Sequence, residues 1–169
     1  GKETHVGQCF EGLDASMIAA ELVHRIHLNH DFIDEYEGEY TYPPSVLKMK
    51  DLKPWYNVQT TGEALVYFNY FVHNATIDEI TDKLKKAAEE VKETILERTR
   101  REIEWFSAKS GNNISMQDYN CKVMTYKELY EKVSKTKGFS EEEMHRRMEE
   151  EVSRGVDKRE VPIAMIRYL

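Results

Sequence analysis

The sequence is poor in the residues and runs that mark several large classes of protein. Its two cysteines, Cys9 and Cys121, are too few for a disulfide scaffold and fit a reducing compartment. No apolar run approaches the roughly 20 residues that a membrane-spanning helix needs, and the first residues lack the pattern of a signal peptide. We therefore expect a cytoplasmic location and no membrane partner.

Positive charge is also in short supply. The 24 lysines and arginines are outnumbered by 31 aspartates and glutamates, which gives a formal net charge of −7. Because a nucleic-acid surface needs a local excess of positive charge, we expect no nucleic-acid partner. The 169 residues are 40% hydrophobic, so a core can form in one generous domain, or in one small domain with an appendage.

Most familiar catalytic motifs are missing as well. There is no glycine-rich phosphate loop, no His-Glu-x-x-His, no nucleophile elbow and no paired Cys-x-x-Cys. His24, His27 and His30 stand three residues apart and could bind zinc, but this spacing turns them progressively around a helix axis. We therefore favour a solvated or partly buried helix end over a zinc site, and we expect no metal ligands in this chain.

Apolar spacing predicts an ordered series of strands and helices. Alternating or continuous apolar residues predict strands over residues 4–10, 45–52, 63–73 and 119–124. Helical spacing predicts one helix that begins after Asp14 and a second, opened by a Thr76–Glu79 capping box, that runs past residue 100 and stops at Gly111. The acidic, tyrosine-rich segment 31–42 is expected to be a loop.

The predicted order is strand, helix, strand, strand, helix, strand. This order is typical of an α+β ferredoxin-like βαββαβ sandwich, in which two helices cover one face of a four-stranded antiparallel sheet. We expect this domain over residues 1–130 and a helical extension over 131–169. Capping boxes at Thr125 and Ser140 predict further helices, and an apolar helical pattern ends the chain from Arg159.

The landmarks of the N-terminal half have the spacing of a known domain. Gly1 is followed by His5 and by the turn Gly12-Leu13-Asp14-Ala15 into the first helix, and Asn57 stands further along the chain. In this order of residues the chain resembles the lid domain of the zinc peptidases of the aminoacylase, acetylornithine deacetylase and succinyl-diaminopimelate desuccinylase family. Cys9 and Thr60 stand where that family has prolines.

A second group of stretches is similar to one branch of that family. Pro43–Lys48, Asp51–Lys53 and Tyr56–Thr60, followed by Tyr67-Phe68-Asn69, look like the branch typified by the arginine utilisation protein RocB. The resemblance covers about residues 1–130. The chain begins with Gly1 rather than Met and enters a patterned segment at once, so we expect a lid excised from a longer protein.

The resemblance implies specific roles. It implies that the chain is a lid and dimerisation domain, that zinc or a similar metal belongs to a catalytic domain outside it, and that the fragment alone has no activity and no cofactor. It implies that His5 donates a hydrogen bond to the oxyanion that develops on a small amide or amino-acid derivative in the partner subunit's site, and that Asn57 orients the substrate. The implied partners are a second copy and the parent's catalytic domain.

Two alternatives stay open at this point. His5 is flanked by Gly1, Gly7 and Gly12, and on local physics alone a strand histidine is more often structural than functional. The chain as a whole could also be a free-standing ferredoxin-like regulatory module that binds a small metabolite or a partner protein.

Overall fold

The computed structural model describes residues 1–134, 141–154 and 160–166. The chain divides into two compact units, Gly1–Gln117 and Asp118–Leu169. The first unit contains α1 (Ala15–Ile26), β1 (Glu35–Tyr36), β2 (Glu39–Tyr40), β3 (Val46–Asp51), β4 (Ala64–Phe68) and α2 (Ile77–Ser110). The second unit contains β5 (Asn120–Thr125), α3 (Tyr126–Ser134), α4 (Glu141–Arg154) and β6 (Glu160–Ile166). The protein is therefore a mixed α and β structure.

The two predicted helices of the first unit are confirmed, and local side chains fix their ends. Asp14 caps α1, because its Oδ1 accepts a 2.7 Å hydrogen bond from the Ser16 N–H. At the start of α2 the Thr76 hydroxyl accepts from the Glu79 N–H, and the Glu79 carboxylate accepts from the Thr76 N–H at 2.7 Å. Gly111 ends α2 in the left-handed conformation, at a φ of 73°.

The core of the first unit lies where α1 packs on α2 and on the β3–β4 pair. Ile26, Phe32 and Ala87 form a buried cluster against which Phe68 of β4 packs. The core continues along α2, where Ile95 is 2% exposed. Burial of this kind on one stripe of each helix explains why helical spacing predicted α1 and α2 correctly.

The predicted four-stranded antiparallel sheet is not present among the described residues, whose strands pair two by two. β1 pairs with β2 and β3 pairs with β4, both antiparallel, whereas β5 and β6 form a parallel pair. The ferredoxin-like prediction is thus correct only in its coarser part, the mixture of helices and short antiparallel sheets. The predicted four-stranded sheet is absent from the described residues because one of its four strands does not form and another, β5, pairs with β6.

The missing strand is the one predicted over residues 4–10. Val6–Glu11 forms 3₁₀ turns with local backbone bonds, such as the 2.8 Å bond from the Gln8 N–H to the His5 carbonyl. Val6 is 56% exposed, while Phe10 contacts the Phe106 ring at a centroid distance of 5.4 Å. The apolar alternation there does not mark one buried face, so it misled the strand prediction.

The strand predicted over 63–73 is shorter than its apolar run. After one further backbone bond, from the Asn69 N–H to the Ser45 carbonyl at 3.2 Å, side chains become the acceptors. Asn69 Oδ1 accepts from the Ser45 N–H at 2.7 Å, and the N–H groups of the following residues His73–Ala75 donate to Asp34. The run is also not a central strand covered on both faces, since Tyr67 is 43% exposed.

Two further segments of the first unit differ from expectation. The segment 31–42, predicted as a loop, contains the β1–β2 hairpin, in which Glu37 and Gly38 both have positive φ, as a two-residue hairpin turn requires. β3 confirms the strand predicted over 45–52, but every residue from Leu47 to Asp51 is exposed. The alternation of Leu47 and Met49 therefore does not mark a buried face.

In the second unit β5 confirms the strand predicted over 119–124, and Thr125 opens α3 with the predicted capping box. The predicted box at Ser140 lies outside the described residues. The helical pattern predicted from Arg159 is wrong over Glu160–Ile166, which is a strand. Pro162 explains the difference: proline interrupts helices, and it lies where the β5–β6 register shifts.

Candidate functional site

His5 precedes the 3₁₀ turn, and its side chain is exposed. The Gly7 N–H donates to His5 Nδ1 at 3.0 Å, so Nδ1 is an acceptor and the neutral ring carries its hydrogen on Nε2. A Cβ at Gly7 would lie 3.1 Å from Nδ1, which is why glycine suits this close approach. The ring is therefore oriented by the backbone and presents Nε2–H as a donor, and it is not a core histidine.

Backbone pairing sets His5 beside the segment that contains Asn57. His5 forms an isolated antiparallel bridge with Gln59. The Val6 N–H donates to the Val58 carbonyl at 3.0 Å, which continues the pairing. The two residues singled out by the resemblance thus lie on facing stretches of the first unit, although the predicted first strand does not form.

Asn57 is half-buried, and its amide has a fixed orientation. Its Oδ1 accepts from Lys53 Nζ at 3.2 Å and from the Gln59 N–H at 3.0 Å. Its Nδ2 lies 3.4 Å from Gln59 Oε1, a long contact. Because Oδ1 is occupied by two donors of the same loop, Nδ2 is the group that Asn57 can offer to a ligand.

Asn57 lines an open cleft of about 540 Å³ between the β3–β4 loop and the N-terminal segment. Its lining includes Lys53, Trp55, Tyr56 and Gln59, of which Trp55 is 71% and Tyr56 90% exposed. The sequence pointed to Asn57 but not to these neighbours. The available signal was the Pro54-Trp55-Tyr56 interruption, which places large aromatics in a connection between two strands.

The three clustered histidines have separate environments. His24 Nδ1 lies 3.4 Å from a carboxylate oxygen of Glu21, His27 Nδ1 accepts from the Val46 N–H at 3.1 Å, and the His30 side chain is 91% exposed. Over the described ranges, no three His, Cys, Asp or Glu side chains are grouped so that they could hold a metal ion.

Asp34 fastens the hairpin segment to the start of α2. Its Oδ2 accepts hydrogen bonds from the consecutive N–H groups of His73, Asn74 and Ala75 at 2.7, 2.7 and 2.9 Å. These backbone bonds, the one from Ala75 above all, lower the pKa of the Asp34 carboxyl to about 2. A carboxylate held in this way has a structural role, because its acceptor sites already face the chain's own backbone.

Comparison with known proteins gives two relatives from Bacillus subtilis (strain 168). The chain is 35% identical over 143 residues to the uncharacterized protein YqjN, a match that covers 85% of this chain and 26% of YqjN. It is 40% identical over 90 residues to the protein RocB, which covers 53% of this chain and 16% of RocB. The chain thus spans about a quarter of the length of YqjN and about a sixth of RocB.

These relatives agree with the RocB branch that the sequence pointed to. No protein-family model matches the chain, and no solved structure does. In the portion of the chain that the structure describes, no helix is both long enough and apolar enough to cross a membrane.

Proposed function

We propose that this chain is the lid and dimerisation domain of a larger peptidase or amidohydrolase-like protein linked to arginine utilisation. The proposal is carried by the geometry of His5, an exposed ring whose Nδ1 is held by Gly7 and whose Nε2–H has no hydrogen-bond partner among the described residues. The similarity to RocB supports the link to arginine utilisation. Zinc belongs, in this proposal, to a catalytic domain outside the chain, and the location is cytoplasmic.

The proposed role of His5 follows from what amide hydrolysis requires. When water adds to an amide carbonyl, negative charge develops on the carbonyl oxygen, and an N–H donor already aimed at that oxygen lowers the barrier. His5 Nε2 is such a donor, because the Gly7 N–H fixes the tautomer and restrains the ring before substrate arrives. Asn57 Nδ2 supplies a second donor that orients the substrate.

A lid domain gives this donor a further property. The donor reaches the carbonyl only when the domains close over the substrate, so that hydrolysis is coupled to enclosure. The exposure of His5 on the unit's surface suits a group that acts on a ligand held by another domain or subunit.

The homodimer is part of the same proposal and rests on β3. Leu47 is 69% and Met49 45% exposed on this strand. Within the described residues β3 has β4 as its strand partner, so its outer edge is available to the same strand of a second copy. An edge strand with exposed apolar side chains is the kind of surface that a dimer covers.

Light scattering at high protein concentration tests the dimer. We expect the chain to behave as a dimer, and Met49→Lys to shift it toward the monomer. Ile77→Lys is the control, because Ile77 is also an exposed apolar residue, at 65%, but lies at the start of α2. A strictly monomeric chain, or equal effects of both substitutions, contradicts the β3 interface.

The enzymatic part of the proposal is tested on the full-length protein that contains this chain. A panel of N-acyl amino acids is assayed with and without a metal chelator, for the full-length protein and for the isolated chain. We expect hydrolysis that the chelator abolishes in the full-length protein and none in the chain. A full-length protein that binds these compounds without hydrolysing them would favour a regulatory ligand-binding module instead.

A further inference from the structure

One lysine joins the two ends of the β3–β4 loop. Lys53 follows β3, and its backbone N–H donates to Asp51 Oδ1 at 3.0 Å, which fixes the base of the side chain where the strand ends. Its Nζ donates to Asn57 Oδ1 at 3.2 Å and to the Gln59 carbonyl oxygen. The ammonium therefore links the start of the loop to positions four and six residues further along.

Apolar burial contributes little to the shape of this loop, because its large apolar side chains lie in solvent. Trp55, Tyr56 and Val58 are all exposed, whereas Lys53 is half-buried. Hydrogen bonds from a charged group are about twice as strong as those between neutral groups, and partial burial reduces their screening by water. The two bonds of the Lys53 ammonium are therefore a main determinant of the shape of the loop.

The loop that Lys53 holds also pairs with the segment that carries His5. Gln59, whose carbonyl accepts from Lys53, is the bridge partner of His5. A shift of the loop at Gln59 therefore also moves the backbone that carries the His5 ring. Lys53 thus bonds directly to Asn57 and acts on His5 through one backbone bridge. Asn57 and His5 are the two residues that the proposed function places at the substrate.

We propose that Lys53 is a positioning residue of this site, and that it acts through Asn57 and Gln59 rather than on the substrate. With its bond in place, Asn57 Oδ1 has two donors and the amide keeps one orientation before a ligand arrives. Without that bond, the amide can rotate about its terminal torsion, and the loop loses its link to the Gln59 carbonyl. The effect on turnover rests on the proposed function. The effect on the Asn57 amide follows from the hydrogen bonds themselves.

NMR relaxation of the isotopically labelled chain tests the proposal without measuring turnover. In the unaltered chain, we expect the Asn57 side-chain amide to be as ordered as that of Asn69, whose Oδ1 accepts from the Ser45 N–H at 2.7 Å. Lys53→Met keeps the aliphatic stem and removes the donors. In this variant the order parameter of the Asn57 amide should fall below about 0.6, the flexible range, while that of the Asn69 amide should not change.

Lys2→Met is the matched control for this variant. Lys2 is also half-buried, and its Nζ donates to a side-chain amide oxygen, that of Gln117, which lies outside the loop. The substitution therefore removes a bond of the same kind at another place in the first unit. It should leave the order parameter of the Asn57 amide unchanged.

A double-mutant cycle on the full-length protein tests the effect on turnover. Lys53→Met should lower kcat/KM by about ten-fold or more for the N-acyl amino acid that is hydrolysed fastest, because a displaced group loses much of its effect on the reaction. When Asn57 is already alanine, the loss caused by Lys53→Met should be smaller by at least about three-fold, which exceeds the deviation from additivity of independent sites. Lys2→Met should leave kcat/KM unchanged.

A flexible Asn57 amide in the unaltered chain overturns the proposal, and this measurement needs no variant to fold. An unchanged Asn57 amide in Lys53→Met, or equal loosening of the Asn57 and Asn69 amides, overturns it too. Equal losses of kcat/KM with and without the Asn57 side chain would show that Lys53 does not act through it. A full-length protein that hydrolyses none of the N-acyl amino acids rejects the proposed function instead, and the order parameters alone then decide the role of Lys53.

Discussion

Replacing His5 by alanine should leave the stability of the first unit almost unchanged. The ring is exposed, and among the described residues its one hydrogen bond is accepted by Nδ1 from the exposed N–H of Gly7. Water replaces this acceptor in the variant. We therefore expect the free energy of unfolding to fall by about 0.5 kcal/mol, the lower end of the range for a hydrogen bond.

His27→Ala is the matched control for this prediction. His27 is half-buried, and its Nδ1 accepts from the Val46 N–H at 3.1 Å where β3 begins. Its loss leaves a partly buried N–H without an acceptor and removes packing at the end of α1. We expect this substitution to cost about 1–3 kcal/mol.

Urea denaturation followed by tryptophan fluorescence measures both variants. Trp55 and Trp105, the two tryptophans of the chain, lie in the first unit, so the signal reports the unfolding of that unit. A loss of about 2 kcal/mol or more in His5→Ala would return this histidine to a structural role and refute the reasoning from its exposure. An unchanged free energy of unfolding in His27→Ala would also refute the reasoning, because this half-buried histidine is expected to stabilise the unit.

Three further substitutions probe the framework of the first unit by the same unfolding assay. The pKa of the Asp34 carboxyl is lowered from 3.8 to about 2. Its stabilising effect is therefore complete above pH 3.8, the unfolded value, and is lost as the pH falls toward 2. Asp34→Asn should destabilise the unit at neutral pH and should flatten this part of the dependence of stability on pH. Thr76→Ala removes the N-terminal cap of α2 and should cost about 1 kcal/mol, with Thr81→Ala, inside the helix, as the comparison. Ile95→Ala opens a cavity at a position 2% exposed and should cost about 2–5 kcal/mol. Midpoints unchanged within error would contradict each expectation.

The parts of the fold that the sequence predicted well are those set by local interactions. The Thr76–Glu79 capping box, the Asp14 cap and the Gly111 stop each depend on groups a few residues apart, and each is present. The apolar stripe of α2 likewise needs no knowledge of its partners. The presence of these helices and the positions of their ends could therefore be predicted from the sequence.

The pairing of strands could not be predicted from the sequence, because it depends on segments that are far apart along the chain. β4 ends at Phe68 through the side chain of Asn69 and through the carboxylate of Asp34, which stands far away in sequence. β6 looked helical by spacing, yet Pro162 favoured extended chain and the strand lies beside β5.

The candidate site was only partly predictable. The resemblance selected His5 and Asn57, and the exposure of the first and the fixed amide of the second are properties that only coordinates give. Lys53 carried no signal in the sequence, because a lysine among charged residues is ordinarily solvated surface. Its distinction, a half-buried ammonium bonded to an amide and a carbonyl, arises from the turn of the β3–β4 loop.

The most direct test of the proposed lid function is the turnover number of the full-length protein with His5→Ala, measured on the N-acyl amino acid that it hydrolyses fastest. The account predicts that kcat falls by about 100-fold or more, the usual effect of losing one oxyanion donor. His24→Ala, which removes another exposed histidine of the same unit, should leave kcat unchanged. An unaltered kcat in His5→Ala, or equal losses in the two variants, would contradict the assignment of His5 as the substrate-facing donor.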